Sequence, residues 1–249
     1  MILASAQTNS FRFDIQKNLD EHYAKIELAA SNGADLILFP ELSITGYKTE
    51  KVKELIFNEN DLRLNGLREL SVKYKIIVIA GAPIQINNDL YIGAFIIKPD
   101  ASLSIYTKQF LHTTEDKIYQ SSFDYNPIIA IENERLSLAI CADINNPTHP
   151  ENAKKNDVSI YLASIFFEPH EMLRAYNILS SYAAKHSMHV LMSNYTGKSW
   201  EVEAGGKSGF WDRDGRLIAN MNEPDSGILL VEKVNGKWSR KALSNIQKV

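Results

Sequence analysis

The chain has 249 residues, of which 45% are hydrophobic and 23% are charged. Such a composition is typical of globular domains and argues against a disordered chain. The net charge is −3, from 27 lysine and arginine residues against 30 aspartate and glutamate residues. This balance gives no support to nucleic-acid binding or to a basic membrane-binding surface. The length fits one large domain, and we expect a single domain over residues 1–249.

Cysteine content and the length of apolar runs indicate the cellular location. Cys141 is the only cysteine, so no intramolecular disulfide can form, which is typical of a reducing compartment. Residues 1–7 lack the basic region and the long apolar stretch of a secretory signal. The longest apolar runs, such as 76–80, are far shorter than the roughly 20 residues that cross a bilayer. We therefore expect a cytoplasmic protein without a membrane partner.

Predicted strands and helices alternate along the first part of the chain. Residues 2–7 predict a strand, and a helix with one apolar face follows between Asp14 as its cap and Gly33 as its end. Residues 35–39 are too short for a helix and are bounded by glycine and proline, so they predict a buried strand. The next elements are a mostly helical segment interrupted near Asn65-Gly66, a strand, a hairpin and another strand (50–74, 76–80, 84–92 and 102–106).

The second part of the chain begins with two strands and then returns to alternation. The predicted elements are strands at 127–131, 136–140 and 158–162, a helix at 168–186, a strand at 188–193 and two late strands around 212–215. The chain has no linker rich in proline, glycine or serine, and no repeat period of about 20 to 50 residues. Alternating helices and strands with antiparallel insertions predict one α/β domain on a mixed sheet.

Three polar residues each follow a predicted strand. Glu41 lies in Phe-Pro-Glu-Leu, Lys108 in Tyr-Thr-Lys-Gln-Phe-Leu, and Cys141 in Leu-Ala-Ile-Cys-Ala-Asp. Ligands of α/β sheets bind at the carboxyl ends of strands, so the three side chains could converge there. Each residue alone also has an ordinary structural interpretation, as a loop cap, a solvated strand end and a small buried hydrophobe respectively.

Taken together, the three segments resemble the motifs of the carbon–nitrogen hydrolase (nitrilase) superfamily, over nearly the whole chain. The matching residues are Pro40-Glu41 with Gly46-Tyr47 close behind, Tyr106, Lys108 and Leu111 of a Tyr-x-Lys-x-x-Leu segment, Glu115 as the family's second glutamate, and Cys141 with Asp143. Weaker similarities follow in Pro150-Glu151, in 206–209 and in 212–215. Three independent sites agree in order, spacing and strand context, so the chain is identified as a member of this superfamily.

The resemblance implies a fold and an activity. The fold is an α/β structure, a four-layer α-β-β-α sandwich with two mixed β-sheets between helical layers. The activity is hydrolysis of a non-peptide C–N bond of a small linear amide through a cysteine thioester, releasing ammonia or an amine. The expected partners are the small-molecule amide and other copies of the chain in a homo-oligomer (dimer or higher). No cofactor is required, and no metal is expected because the lone cysteine does not cluster with histidines.

The resemblance also assigns roles to individual residues. Cys141 is the nucleophile, and Glu41 is the base that takes the thiol proton and later activates water. Lys108 stabilises the negative charge on the former carbonyl oxygen, together with the backbone N–H of Ala142. Glu115 orients Lys108 or the substrate nitrogen. The expected substrate-binding residues are Tyr47, Ala142 and Asn145.

The segment between Cys141 and Pro150 departs from the family pattern. It is longer than the usual run and lacks an arginine that is common there, and Asn145 or Asn146 stands in its place. An arginine binds a carboxylate through two charge-assisted hydrogen bonds, whereas asparagine offers neutral donors and an acceptor. The departure therefore disfavours substrates with a free carboxylate. The basic residues that could enter the pocket from elsewhere are Lys117, Arg174 and Lys207.

Three alternatives stay open at this point. A Cys–His dyad would use His112 or His149 as the base for Cys141. A nitrilase-like scaffold could serve as a binding or regulatory module without catalysis, since a fold does not prove a function. A nitrile could replace the amide as substrate. Alkylation of the cysteine would separate enzyme from module, because a reactive thiol of low pKa is expected only in the enzyme.

Overall fold

The computed structural model describes residues 1–46, 52–199 and 202–243. In chain order the strands are β1 (Ile2–Gln7), β2 (Leu36–Leu38), β3 (Ile77–Ile86), β4 (Asp89–Ile97), β5 (Leu103–Thr107), β6 (Ile129–Ile131), β7 (Glu134–Ile140), β8 (Ile160–Ser164), β9 (His189–Ser193), β10 (Lys198–Ser199), β11 (Val202–Glu203), β12 (Gly209–Trp211), β13 (Leu217–Asn220), β14 (Gly227–Val234) and β15 (Lys237–Lys241). The α-helices are α1 (Ile15–Ser31), α2 (Val52–Leu55), α3 (Asn65–Tyr74), α4 (Thr148–Lys155) and α5 (Met172–His186). Short 3₁₀ turns cover Leu62–Leu64, Cys141–Asn145 and Pro169–Glu171.

Most of the strands form two mixed sheets. The first sheet has seven strands in the order β15-β14-β1-β2-β3-β4-β5, with β1, β2 and β3 parallel and the other pairs antiparallel. The second has six strands in the order β13-β12-β9-β8-β7-β6, with β7, β8 and β9 parallel. β10 and β11 form a separate antiparallel pair. The parallel strands at the centre of each sheet point their carboxyl ends to one edge, where polar side chains can meet.

Three apolar layers hold the sandwich together. Leu36 and Leu38 of β2 face the second sheet, whereas Ile37 between them faces the helices, as the alternating pleat requires. Ile26 of α1 and Leu67 of α3 pack on that outer face of the first sheet. On the far side, α4 and α5 cover the second sheet through Ala153, Ala175 and Leu179. The layers therefore run helix, sheet, sheet, helix, and the expected four-layer α-β-β-α sandwich is confirmed.

Two sequence-based expectations about local structure were wrong or incomplete. The segment 50–74 was expected to be mostly helical, but between α2 and α3 Phe57 bridges Ile84 and Asp61 caps a 3₁₀ turn instead. The short helix α4 and the hairpin of β14 and β15 were not expected at all. α4 is polar apart from a narrow buried side, so it carries little periodic signal. The hairpin does carry a signal, because Asn235-Gly236 is the favoured two-residue turn and both residues have positive φ.

No helix among the described residues is long and apolar enough to cross a lipid bilayer. The longest of them, α1, has buried Asn18, His22 and Lys25 on the face that packs against the first sheet.

A close backbone approach positions the loop after β2, and it predicts a strict requirement for glycine. Gly81 in β3 accepts a hydrogen bond from the Ile44 backbone N–H (2.9 Å), and a Cβ at this position would overlap the Leu42 backbone nitrogen. Gly81→Ala should therefore lower the free energy of unfolding by about 1–3 kcal/mol, as overpacking does. Thermal and urea denaturation measure this change.

The matched control is Gly227→Ala in β14, where the nearest atom to a new Cβ is the flexible Met221 Cε at 3.4 Å. That variant should be neutral or slightly stabilising, because glycine within a strand is destabilising by about 0.5–1 kcal/mol relative to alanine. Equal stability of the two variants would contradict the packing argument.

Candidate active site

Three strand ends bring the candidate residues together. Glu41 follows β2 and Lys108 follows β5 in the first sheet, and Cys141 follows β7 in the second. The ammonium nitrogen Nζ of Lys108 lies 2.8 Å from Oε1 of Glu41 and 2.9 Å from Oε1 of Glu115. The side chains of Lys108 and Glu41 have no exposed surface, and Glu115 is 1% exposed. A single ammonium is thus held between two buried carboxylates, one from each side.

Positive φ angles mark the turns that present Glu41 and Cys141. Leu42, directly after Glu41, has φ 52°, and Cys141 itself has φ 44°. A non-glycine residue in this left-handed region costs of order 1–3 kcal/mol, so surrounding contacts must hold it there. Cys141 begins a 3₁₀ turn immediately after β7, which turns its side chain out of the sheet. The strain therefore lies at the two points where the chain leaves a strand to present a polar group.

Hydrogen bonds from two parts of the fold, the segment after β9 and helix α1, fix the loop of Glu41. The Tyr195 hydroxyl donates to the backbone carbonyl of Glu41 at 2.7 Å. On α1, His22 contacts the Ser43 hydroxyl through Nε2 at 2.9 Å and the Asn18 carbonyl through Nδ1 at 2.6 Å. Burial lowers the pKa of His22 to about 4, so it is a neutral ring at ordinary pH. These buried, satisfied contacts restrict how far the Glu41 carboxylate can move.

Serine hydroxyls join the two sheets close to the site. Ser164 at the end of β8 donates to the backbone carbonyl of Phe39, two residues before Glu41, at 2.8 Å. Farther along the same seam, Ser5 donates to the carbonyl of Met192 at 2.7 Å, and Ser193 donates to the carbonyl of Ala6. Each bond links a strand of one sheet to a strand of the other. The distance between the Glu41 and Cys141 loops is therefore set by direct contacts as well as by apolar packing.

The buried Asp143 ties Cys141 to the segment that carries Lys108. Its Oδ2 accepts a hydrogen bond from the backbone N–H of Ile140 (2.8 Å), and its Oδ1 accepts from the backbone N–H groups of Gln109 (3.0 Å) and Phe110 (2.8 Å). One carboxylate therefore holds the residue before the cysteine and the two residues after the lysine.

Burial and charge set the protonation states of the cluster. Burial raises the pKa of Glu41 to about 7 against the lowering effect of the Lys108 ammonium, and the Glu115 carboxylate adds to the rise. Burial alone would lower the pKa of Lys108, but the carboxylates of Glu41 and Glu115 and the Cys141 sulfur together raise it, so it stays a cation. Burial and the Glu41 carboxylate raise the pKa of the Cys141 thiol well above its usual value. The resting cysteine is therefore a neutral thiol beside a carboxylate that can accept its proton.

A cleft of about 340 Å³ leads to Cys141 and Glu115. Its other lining residues are His112, Thr114, Ala142, Asn145, Phe166, Phe167, Glu168, Glu171 and Arg174. The guanidinium of Arg174 donates to Asn145 Oδ1 at 2.7 Å and lies 3.6 Å from a carboxylate oxygen of Glu171. Three glutamates and one arginine line this cleft, so its charge is predominantly negative.

The structure brings together most of the residues expected from the sequence. Glu41, Lys108, Glu115 and Cys141 form one cluster, and Ala142 and Asn145 line the cleft. Tyr47 lies outside the described residues. The cleft wall between β8 and α5 was not expected from the sequence; it comprises Phe166, Phe167, Glu168 and Glu171. This segment directly follows β8, so its position after a strand, the signal that indicated the other site residues, could have indicated it as well.

The other expectations for the site concern histidines and metals. His112 lines the cleft, whereas His149 is buried behind it with both ring nitrogens hydrogen-bonded to tyrosine hydroxyls. Within the ranges that the structure describes, no three side chains of His, Cys, Asp or Glu are grouped to hold a metal ion.

Comparisons with known proteins agree with this fold and show the family. The family model for carbon–nitrogen hydrolases matches residues 2–236. The chain is 26% identical over 223 residues to the glutamine-dependent NAD(+) synthetase of Thermotoga maritima, which covers 86% of this chain and 38% of the synthetase. It is 23% identical over 205 residues to the 2-oxoglutaramate amidase of Bacillus subtilis, with 81% of this chain and 79% of the amidase covered. The chain thus spans less than half the length of the synthetase that it matches.

A solved structure shows the same fold. The amidase from Nesterenkonia sp. AN1, as a cysteine-to-alanine mutant in complex with butyramide, superposes with a TM-score of 0.83 at 20% identity, over 92% of this chain and 89% of that one. The chain belongs to the carbon–nitrogen hydrolase family, as the sequence motifs indicated.

The protonation states predict how the reactivity of Cys141 depends on pH. A carboxyl whose pKa is raised to about 7 is a base only above that pH, so the base form is lost as the pH falls through 7. The rate of alkylation of Cys141 by a neutral reagent should therefore fall about tenfold per pH unit below an apparent pKa near 7.

Glu41→Gln should abolish this fall in rate at acid pH, here called the acid limb of the pH profile. It should also slow alkylation by about a hundredfold or more, as loss of a general base does. His112→Ala, which changes a residue lining the same cleft, is the control and should keep the limb and most of the rate. An acid limb that survives in Glu41→Gln and disappears in His112→Ala would assign the base to a Cys–His dyad.

Proposed function

We propose that this protein hydrolyses a small linear amide through a thioester on Cys141, releasing ammonia or an amine. The observation that carries the proposal is the arrangement of one free carboxylate oxygen, one fixed ammonium and one thiol. Oε1 of Glu41 is bonded to Lys108, whereas its Oε2 is buried and has no hydrogen-bond partner among the described residues. A buried acceptor without a donor is costly, and it is suited to receive a proton during reaction.

In the first half-reaction the thiol of Cys141 attacks the amide carbon while Glu41 takes the thiol proton. Because the pKa of the thiol is raised and that of the carboxyl is near 7, proton transfer accompanies attack rather than preceding it. The tetrahedral intermediate collapses to a thioester when its C–N bond breaks, and Glu41 returns the proton to the departing nitrogen. Ammonia leaves, or an amine if the amide nitrogen is substituted.

In the second half-reaction, water replaces the amine. Glu41 takes a proton from the water molecule as its oxygen attacks the thioester carbon. The C–S bond then breaks, the sulfur recovers a proton from Glu41, and the carboxylic acid is released. One base therefore serves both half-reactions, which splits the difficult attack on an amide into two easier steps.

Lys108 and the backbone N–H of Ala142 stabilise the negative charge on the former carbonyl oxygen in both steps. Lys108 serves as a fixed cation because its pKa is raised and two carboxylates hold it. Loss of one such donor typically costs about 2.7–4 kcal/mol in the transition state. Glu115 orients this ammonium, and its second oxygen accepts from the backbone N–H of His112 at 2.8 Å.

The relatives support an amide substrate. The 2-oxoglutaramate amidase of Bacillus subtilis is named for one, and the Nesterenkonia amidase was bound to butyramide. In a structure of a glutamate-to-glutamine mutant of that amidase, acrylamide has added to the active-site cysteine by Michael addition. A nitrile as substrate and a module without catalysis remain the alternatives. A module has no need of a buried, strained thiol–carboxylate pair, whereas the raised pKa of the thiol requires Glu41 to supply the reactivity in an enzyme. The charge cluster does not separate a nitrile from an amide.

Trapping the acyl group tests the proposal directly. The wild-type protein is incubated with a pool of small amides and quenched in acid, and the intact protein is then weighed by mass spectrometry. A covalent adduct should appear whose mass is that of the amide less ammonia, as a thioester on the nucleophile requires. The adduct identifies both the nucleophile and the acyl group.

The matched control for trapping is Cys141→Ala, in which a small residue replaces a small residue. It should show the circular dichroism of the wild type, no adduct and no turnover. Turnover close to the wild-type rate in this variant would rule out the thioester mechanism.

The charge of the cleft predicts the class of amide. Arg174 enters the cleft, but its guanidinium is bonded to Asn145 and lies beside Glu171, and two further glutamates line the same cleft. A carboxylate entering here would lose its hydration next to like charges, which is unfavourable. Neutral or amine-bearing amides should therefore have a higher kcat/KM than ω-amides of dicarboxylic acids of the same length.

The measurement is a paired assay of each neutral amide against its carboxylate analogue at fixed ionic strength. Arg174→Gln should change kcat/KM for the neutral amide little, by about threefold or less. A tenfold preference of the wild type for the carboxylate member, about 1.4 kcal/mol in the transition state, would contradict this prediction. Loss of that preference in Arg174→Gln would then show that Arg174 binds substrate carboxylates.

A further inference from the structure

A buried hydrogen-bond network lies behind Cys141, and the proposed mechanism does not use it. The Tyr106 hydroxyl donates to Oδ2 of Asp143 at 2.6 Å and lies 2.8 Å from Nε2 of His149. Nδ1 of His149 lies 2.7 Å from the hydroxyl of Tyr161 on β8. All four side chains are almost fully buried, and His149 is 3% exposed. The chain Asp143–Tyr106–His149–Tyr161 thus connects the turn of Cys141 to the second sheet.

The directions of these bonds define one tautomer of His149. The hydroxyl of Tyr106 donates its single proton in the hydrogen bond to Asp143, so the Tyr106 oxygen must accept a hydrogen bond from Nε2–H of His149. Nδ1 then has a lone pair and accepts from the Tyr161 hydroxyl. Burial lowers the pKa of His149, which agrees with a neutral ring that carries one proton. Each polar atom of the network then has a partner, and such networks hold their members in one geometry.

We propose that His149 is a positioning residue, which sets the orientation of Asp143 through Tyr106 and thereby holds the backbone on both sides of the reacting groups. Asp143 accepts from the backbone N–H groups of Ile140, Gln109 and Phe110, which adjoin Cys141 and Lys108. His149 lies near the start of α4, which follows the 3₁₀ turn of Cys141. This helix places Nε2 of the imidazole 3.9 Å from Oδ2 of Asp143.

Direct catalysis by His149 does not fit the geometry. Both ring nitrogens are occupied by tyrosine hydroxyls, and the residue does not line the cleft that reaches Cys141. Its influence on the thiol must pass through Tyr106 and Asp143. A displacement of a reacting group by about 1 Å can cost a hundredfold in rate, so a small change in this support is expected to be measurable in activity.

The inference rests on the proposed amidase function, so its test includes a readout that does not. His149→Phe keeps the ring shape and removes both hydrogen bonds. It should lower kcat by about tenfold or more and leave KM within about threefold, because the cleft wall is untouched. Alkylation of Cys141 by iodoacetamide should slow in parallel, whether or not an amide substrate has been found.

Two further variants separate positioning from folding. His149→Gln keeps an amide N–H near the position of Nε2 and should recover most of the lost rate. His189→Phe, at the first residue of β9, is the control: it removes another neutral histidine, which is partly buried, and should leave kcat and the alkylation rate unchanged. Rates are compared per folded molecule, with melting temperatures measured for every variant.

Three outcomes would overturn the proposal. They are wild-type alkylation and kcat in folded His149→Phe, equal impairment of the Gln and Phe variants, and a raised KM at unchanged kcat. If His149→Phe does not fold, Tyr161→Phe removes only the hydroxyl that serves Nδ1. A slower alkylation rate in that variant supports the proposal, and a wild-type rate contradicts it. If no thioester can be trapped but the alkylation rate still falls in the His149 variants, the proposed function is refuted and the positioning role of His149 is not.

Discussion

The buried ammonium of Lys108 is the constraint on which the site depends. Removing such a cation from water costs several kcal/mol, and only close carboxylates compensate for it. Glu41 and Glu115 lie within 3 Å of the same nitrogen, so the cluster carries one carboxylate more than it has ammonium groups. Burial raises the pKa of Glu41 to about 7 and raises that of the Cys141 thiol, and the excess carboxylate charge adds to both shifts. An apolar replacement of comparable volume would be neutral or stabilising, so the cluster is better explained by chemistry than by stability.

The two sheets of the sandwich supply different parts of this cluster. Glu41, Lys108 and Glu115 come from loops of the first sheet, and Cys141 comes from the second. Apolar packing alone would leave their separation loosely defined, because side chains in a core can slide by fractions of an ångström. The Ser164 hydroxyl on the Phe39 carbonyl and the Asp143 carboxylate on the backbone beside Lys108 are directional bonds across that interface. These bonds fix the positions of the Glu41, Lys108 and Cys141 loops relative to one another.

The sequence could predict the positions of Glu41, Lys108 and Cys141, because a polar residue directly after a buried strand is a local signal. The four-layer fold followed from motif resemblance, since no local pattern specifies which sheet packs on which. The cleft wall at 166–171 and the role of Arg174 depend on contacts across dozens of residues, and burial of His149 depends on where α4 docks. A low pKa was expected for the cysteine of an enzyme. Burial and the Glu41 carboxylate instead raise the pKa of Cys141. In the proposed mechanism, the reactivity of the thiol therefore comes from Glu41 as the base.

The segment after Cys141 contributes to two features of the site. Its Asn145 bonds to Arg174, an arginine supplied by α5. The cation of the cleft wall therefore comes from α5, and Glu171 beside it partly neutralises its charge. The same segment continues into α4, which brings His149 to Tyr106, two residues before Lys108. One segment thus affects both the charge of the cleft wall and the support of the nucleophile, so a substitution in it is expected to alter substrate preference and positioning together.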